Sequence, residues 1–291
     1  MAEKRKILVQ LDSDPLPSLF DRIVAIDAGV DEVLSYGGIQ PAMVRDLVHG
    51  AIFTRGPKDL SGTAFFIGGK DVRVGEQLFS EAQSNMLPHF GLQVSMMLDA
   101  NGANTTATAA VWCIRQHSNL TDQKAMVLGA GPVGIRVALL LLQLGAEVSL
   151  VDISEERLQA ARERLGNAAT SKLQTHLSMP TDLSSAKVQD CHVLIGAGPT
   201  GKALIADDNW LTNKHLRVAV DLNAVPPSGL SGIAATDAGK ERHGIVCFGP
   251  LGVGALKMKI HKQAIRQLFT TQEYRLDIEG LWALANEIGV Q

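Results

Sequence analysis

Residues 124–152 read as a strand, a glycine turn, a helix and a second strand, and this stretch constrains the fold most tightly. Lys124 to Leu128 is a short apolar run, followed by Gly129-Ala130-Gly131-Pro132-Val133-Gly134 in G-x-G-x-x-G spacing. A helix rich in Val and Leu then extends to Leu144, and Glu147 to Val151 forms the second strand, which ends on Asp152. Gly129 permits the tight turn, Gly131 lets backbone approach a pyrophosphate, and Gly134 lets the helix lie close on the strand. Unpaired amides and the positive helix end would then face the phosphates, so Gly129, Gly131, Pro132, Val133 and Gly134 are the expected cofactor-binding loop. A merely tight turn is the competing reading. The βαβ context and an acidic residue about twenty positions beyond the glycines weigh against it.

Asp152 bears on which nicotinamide cofactor is bound. A carboxylate at the end of the second strand accepts hydrogen bonds from the adenosine ribose hydroxyls and repels a 2′-phosphate. NAD is therefore the expected cofactor. NADP is tolerated if Asp152 swings out and Arg157, the nearby cation, reaches the phosphate.

The 291 residues suffice for one large or two medium domains with a substantial core. A net charge of −3 gives no electrostatic case for nucleic acid or an anionic membrane surface. The charged start, Met1 to Lys6, runs straight into a strand without the apolar core of a signal peptide, and no apolar run reaches a membrane span. Cys113, Cys191 and Cys247 are isolated, with no metal or redox spacing. Reduced thiols in a cytoplasmic protein without a metal are the expectation.

The first hundred residues alternate strand and helix signals. Strands are expected at Lys6–Leu11, Glu32–Tyr36, Ala51–Thr54, Thr63–Ile67 and Leu92–Leu98. Helices are expected at Leu19–Ala28, capped by Ser18, after Pro41, and at Asp71–Leu87. This is an α/β domain with a mainly parallel sheet and no phosphate fingerprint of its own. The run Asp99-Ala100-Asn101-Gly102-Ala103-Asn104-Thr105-Thr106 then leads into a helix. Small polar residues at such a junction suit either helix capping or a ligand site at a strand's carboxyl end.

Past the fingerprint, a strand at Asp190–Ile195 runs into a glycine turn containing Gly198, and Arg217–Asp221 runs into Leu222-Asn223-Ala224-Val225-Pro226-Pro227. Gly198 would let backbone pass near the cofactor's ribose or pyrophosphate, or would simply make a turn. Asn223 would bond the nicotinamide carboxamide or the substrate, or would form an Asx-turn. A last strand, Ile245–Phe248, precedes Gly249 to Gly254 and a helix from about Ala255 that carries Lys257, Lys259 and Lys262. The final helix is Ile278–Ile288. The expected organisation is two α/β domains with a cleft between them. The first covers 1–104 plus 268–291. The second, 105–267, is a Rossmann-type doubly wound parallel sheet.

Taken together, these strings resemble one family: the bacterial NAD(P)-dependent methylene-tetrahydromethanopterin dehydrogenases. The resemblance rests on Leu11-Asp12-Ser13-Asp14, Pro17 to Asp21, Phe53-Thr54-Arg55-Gly56, Phe66 to Gly69, Met97 to Thr106 and the fingerprint. It continues through Asp221 to Pro227, Gly232 to Asp237 and Gly249 to Lys257. It implies hydride transfer from N5,N10-methylene-tetrahydromethanopterin to the cofactor, giving the methenyl cation, on a route oxidising formaldehyde. It also implies a cofactor on the Rossmann side, a pterin on both walls of the cleft, and a homo-oligomer.

Lys257 matches the family's active-site lysine, and Asp21 lies in a family motif and would balance charge or bind the pterin's amino edge. Asn101, Asn104 and Thr105 are the further candidates for the substrate wall. The NADP-using members carry a basic residue where Asp152 stands, a departure that favours NAD. Rival readings are a methylene-tetrahydrofolate dehydrogenase, whose Tyr-x-x-x-Lys pair is not evident because Gln40 follows Tyr36 by four, and a non-catalytic nicotinamide-linked sensor.

Overall fold

A computed structural model describes residues 4–168, 171–178, 188, 190–205 and 209–289. The chain divides into two compact units, residues 1–105 with 258–291 and residues 106–257. The return to the first unit thus falls inside a helix rather than at 267/268.

In chain order, β1 (Ile7–Asp12), α1 (Leu19–Asp27), β2 (Glu32–Tyr36), α2 (Pro41–Ile52), β3 (Thr63–Gly68), α3 (Val72–Ser84) and β4 (Ser95–Leu98) come first. Next are α4 (Ala103–Arg115), β5 (Lys124–Leu128), α5 (Pro132–Gln143), β6 (Glu147–Asp152), α6 (Glu155–Leu165), β7 (Leu173–Leu177), β8 (Val193–Gly196) and β9 (Val218–Asp221). Last are β10 (Ala238–Arg242), β11 (Ile245–Phe248), α7 (Pro250–Gln267), β12 (Arg275–Leu276) and α8 (Ile278–Ile288).

Local chemistry sets several of these boundaries. Ser18 accepts from the Asp21 amide at the start of α1, Asp71 from the Arg73 and Val74 amides at α3, and Asp277 from the Glu279 and Gly280 amides at α8. Each cap satisfies N–H groups that the helix itself leaves open. Ala51 and Ile52, expected in a strand, instead close α2. They share one buried face with Val44 and Val48, and that helical stripe outweighs their β-type neighbours.

The first unit's sheet has the order β12-β4-β3-β1-β2, and all its pairings are parallel. Central β3 is buried along its whole length, as a parallel strand covered on both faces must be. Edge strand β2 alternates exposed and half-buried residues. Read from β2, the order is β2-β1-β3-β4-β12, the pattern 2-1-3-4-5 with β12 as its fifth strand, and it switches direction between β1 and β3.

The second unit's sheet runs β10-β11-β9-β8-β5-β6-β7, parallel except for β10 against β11. Without β10 this is the doubly wound order 3-2-1-4-5-6, and its switch lies between β5 and β8. Strands β7 and β10 were not expected, because Leu173 to Leu177 and Ala238 to Arg242 are largely polar edge segments without an apolar alternation. Val137, Leu140 and Leu141 of α5 are fully buried, each contributing about 1.5–3 kcal/mol relative to exposure. That packing fixes the helix whose first turn follows the glycines.

Candidate functional site

Strand register brings the ends of β5, β6 and β8 level in the second unit: Leu128 pairs with Val151 on one side and with Gly196 on the other. The glycine turn therefore opens at the switch point, outside the carboxyl ends of the strands. Gly129 has φ +112°, and a Cβ there would lie 2.6 Å from the Ala197 carbonyl oxygen. A Cβ at Gly134 would lie 1.8 Å from the Gly129 carbonyl oxygen. Both positions exclude any side chain. Gly131 differs, because nothing lies within 4 Å of where its Cβ would be. It is also the N-cap of α5, where it brings no side-chain acceptor, and Pro132 opens the helix. Val133, in the first turn, is part-exposed. An open space at a helix start with uncapped N–H groups fits a phosphate.

Asp152 is buried at the end of β6. Its Oδ2 accepts from the Ala130 amide at 2.8 Å, its Oδ1 accepts from the Ser154 amide at 3.0 Å, and Arg157 Nη1 lies 3.6 Å from Oδ1. The carboxylate thus braces the glycine turn as well as facing the neighbouring pocket. That pocket, about 250 Å³, is lined among others by Gly129, Asp152, Ile153, Arg157, Gly198 and Lys202. Gly198 meets the Leu204 side chain, 2.4 Å from its own would-be Cβ.

Asn223, expected at the nicotinamide, is turned to the protein. Its Oδ1 accepts from the Gly201 and Val225 amides at 3.0 and 3.1 Å, and its Nδ2 donates to the Pro227 carbonyl at 2.8 Å. This is the Asx-turn alternative, and it ties two strand-end loops together. Asp221, also buried, accepts from the Asn223, Gly229 and Leu230 amides. Burial pushes its carboxyl above the ordinary range, against the downward pull of those amides.

The first unit has its own strand-end carboxylates. Asp12 accepts from the Asp14 and Ser18 amides at 2.8 and 3.1 Å. Asp99 accepts from Thr105 twice, from its amide at 3.0 Å and its hydroxyl at 2.6 Å. Asn104 donates to the Leu98 carbonyl at 2.6 Å. Asn104 and Thr105 are both buried, so their polar atoms brace the start of α4 rather than forming an open wall. Asn101 remains exposed, at φ 54°, with its amide donating to Gly69. The left-handed region suits asparagine among side chains. At the β1/β3 switch point the buried Ser13 Oγ has no hydrogen-bond partner among the described residues.

Asp21 lies in the first turn of α1, half-buried, its amide donating to Ser18. Lys257 lies in the middle of α7, which begins at Pro250 rather than near Ala255, and is half-buried. Asp21 belongs to the first unit and Lys257 to the second.

Sequence reasoning passed over two residues. His261, fully buried in the first unit, stacks on Phe66 with centroids 5.6 Å apart and has Nδ1 4.0 Å from Asp99 Oδ2. Its spacing of four from Lys257 was the available signal, since such residues share a helix face. Lys202, which lines the pocket, directly follows Gly201 in the turn after β8.

Comparison with known proteins gives two family matches. Residues 19–101 match the model "Methylene-tetrahydromethanopterin dehydrogenase, N-terminal", and residues 99–242 match "Alanine dehydrogenase/PNT, C-terminal domain". A curated protein of Methylorubrum extorquens named "Bifunctional protein MdtA" is 39% identical over 98% of this chain and 99% of its own length. The NAD(P)-dependent methylenetetrahydromethanopterin dehydrogenase of the same organism is 30% identical over 98% of this chain and 99% of its own. Among solved structures, quinate dehydrogenase from Corynebacterium glutamicum in complex with NAD aligns with TM-score 0.50 at 12% identity. It covers 98% of this chain and 100% of its own, a likeness of fold alone.

Proposed function

Because the chain belongs to the methylenetetrahydromethanopterin dehydrogenase family, we propose that it oxidises N5,N10-methylene-tetrahydromethanopterin to the methenyl form with NAD(P). NAD(P)⁺ supplies the hydride acceptor when bound. The observation that carries the cofactor side is the open position at Gly131, set between two glycines that tolerate no side chain. Amides of the Gly129–Gly134 turn and the start of α5 receive the pyrophosphate. Asp152 and Gly198 flank the adenosine ribose, and Asp152 also fixes the turn through Ala130.

The departing hydride leaves a substrate carbon between two nitrogens, whose lone pairs stabilise the cation. The step needs neither a nucleophile nor a proton shuttle from the protein, and holding the two reacting carbons at contact distance lowers the barrier. Lys257 anchors the pterin ring or a carboxylate of the carrier, away from the nascent cation that its charge would oppose. Asp21 balances charge or binds the pterin's amino edge, and Asn101 offers an exposed polar contact of the first unit. Asn104 and Thr105 brace the start of α4 beside Asn101, and Asn223 ties together the loops after β8 and β9.

The test is direct. Reduced nicotinamide absorbance should grow when the purified protein receives methylene-tetrahydromethanopterin with NAD⁺ or NADP⁺. Absence of growth with both cofactors overturns the reading. Lys257→Ala should lower kcat/KM at least about tenfold, a loss of roughly 1.4 kcal/mol of transition-state stabilisation. Wild-type kinetics would remove Lys257 from the site.

We place the enzyme in the cytoplasm, in keeping with three buried thiols, of which Cys113 and Cys191 are pushed by burial to about 12 and Cys247 to about 11. No described helix is long and apolar enough to cross a membrane. The protein self-associates through its first unit. Leu19, Phe20, Ile23 and Ile26 of α1 and Leu34 and Tyr36 of β2 are all exposed there, and so many large apolar side chains exposed on two neighbouring elements favour an interface. A monomer by sedimentation at micromolar concentration would overturn that assembly.

A further inference from the structure

Asp152 stands where a free carboxylate excludes the 2′-phosphate of NADP, yet its surroundings do not leave it free. One oxygen accepts from the Ala130 amide and the other from the Ser154 amide. The Arg157 guanidinium sits 3.6 Å from the second oxygen, with the arginine side chain 57% exposed and the aspartate 5% exposed. The negative charge is therefore compensated and mostly turned away from solvent, while the compensating cation is presented to it. Nor can the carboxylate swing out to make room without stranding the Ala130 amide, and with it the glycine turn.

The same pocket carries a second cation, Lys202, exposed on the opposite loop after β8. Among its described lining residues the charged groups are Asp152, Arg157 and Lys202, two cations against one anion. A pocket that receives adenosine and keeps a positive excess at its rim is suited to a phosphorylated ribose. Arg supplies a planar fork for phosphate oxygens and Lys a point charge.

We infer that Arg157 and Lys202 form a 2′-phosphate clamp, so that the chain accepts NADP with Asp152 still in place. The inference rests on the cofactor reading above and deepens it. The two cations, one from the first turn of α6 and one from the loop after β8, set the preference between cofactors. The strand-end carboxylate serves both of them by holding the turn.

The probes are 5′-AMP and 2′,5′-ADP, which differ only in the 2′-phosphate and need no turnover. Titration calorimetry on the intact protein should show 2′,5′-ADP binding about tenfold more tightly, as expected for one charge-assisted phosphate contact. That ratio should fall several-fold in Lys202→Ala and in Arg157→Ala, and to about one in the double variant. It should also shrink as salt rises, because the clamp lies at an exposed rim. Both side chains are exposed, so folding should be retained, and circular dichroism checks it. Equal binding of the two probes by the wild type overturns the clamp, as does a ratio unchanged in the double variant. Binding of neither probe overturns the cofactor assignment as well, which separates the two failures. With turnover as readout, the NADP-to-NAD ratio of kcat/KM should fall in the same order across the variants.

Discussion

Both units end parallel strands on buried aspartates, but only one of them builds an open turn beside such an aspartate. In the first unit Asp12 and Asp99 take backbone amides and a hydroxyl, and the glycine next to the switch point, Gly69, is pressed against Ser13. In the second, Asp152 and Asp221 take amides in the same manner, yet Gly131 faces empty space. A strand-end carboxylate is thus first a loop anchor, because a buried carboxylate must be satisfied and nearby loop amides are the cheapest donors. What distinguishes the proposed nucleotide-binding end is a glycine at a helix start, beside the anchored carboxylate, whose Cβ would meet nothing.

The sharpest way to break this comparison is Gly134→Ala, whose Cβ would fall 1.8 Å from a backbone oxygen. It should cost about 3 kcal/mol of stability by urea denaturation, as severe overpacking does. A change below 1 kcal/mol, on the order of ordinary surface substitutions, would mean that the turn is looser than described. Next come the anchors. Asp99→Ala and Asp152→Ala should each lose about 2 kcal/mol, since buried donors are left unsatisfied. Only Asp152→Ala should also weaken 5′-AMP in calorimetry, and equal weakening by both would erase the distinction between the units.

Gly131→Ala should change stability by no more than about 0.5 kcal/mol, because its Cβ meets nothing, while lowering NAD⁺ affinity about tenfold. Undiminished binding would remove Gly131 from the phosphate site. The smallest effect belongs to Ser13→Ala. Deleting a buried hydroxyl that has no hydrogen-bond partner among the described residues should leave the unfolding free energy within about 0.5 kcal/mol of wild type. A larger loss would show that the hydroxyl is engaged.

Sequence carried the second unit further than the first. Gly129, Gly131 and Gly134 have separable steric duties that spacing alone expresses, and the doubly wound order follows from alternating strands and helices. The position of Asp152 after the second strand marks it as a ribose acceptor, but its hold on the Ala130 amide depends on level strand ends, a long-range register that no local pattern encodes. Asn104, Thr105 and Asn223 looked like ligand residues because short polar side chains cap helices and bind ligands with the same atoms. Only the positions of their partners separate the two uses. Ala51 to Thr54 misled for another reason: with two β-branched residues among four, it invites a strand reading, whereas the buried stripe that makes it helical begins at Val44. Lys202 carried no signal of its own, since a lysine after a glycine turn is most often a solvated one.

Strand β10 bears on how the protein behaves when concentrated. It runs against its neighbour, breaks register between Ala238 and Lys240, and then sets Lys240, Glu241 and Arg242 along the outer rim. A flat, uncharged rim would offer its backbone to another copy as a template for fibre growth. This one, kinked and charged, terminates the sheet and keeps concentrated protein from polymerising through that flank.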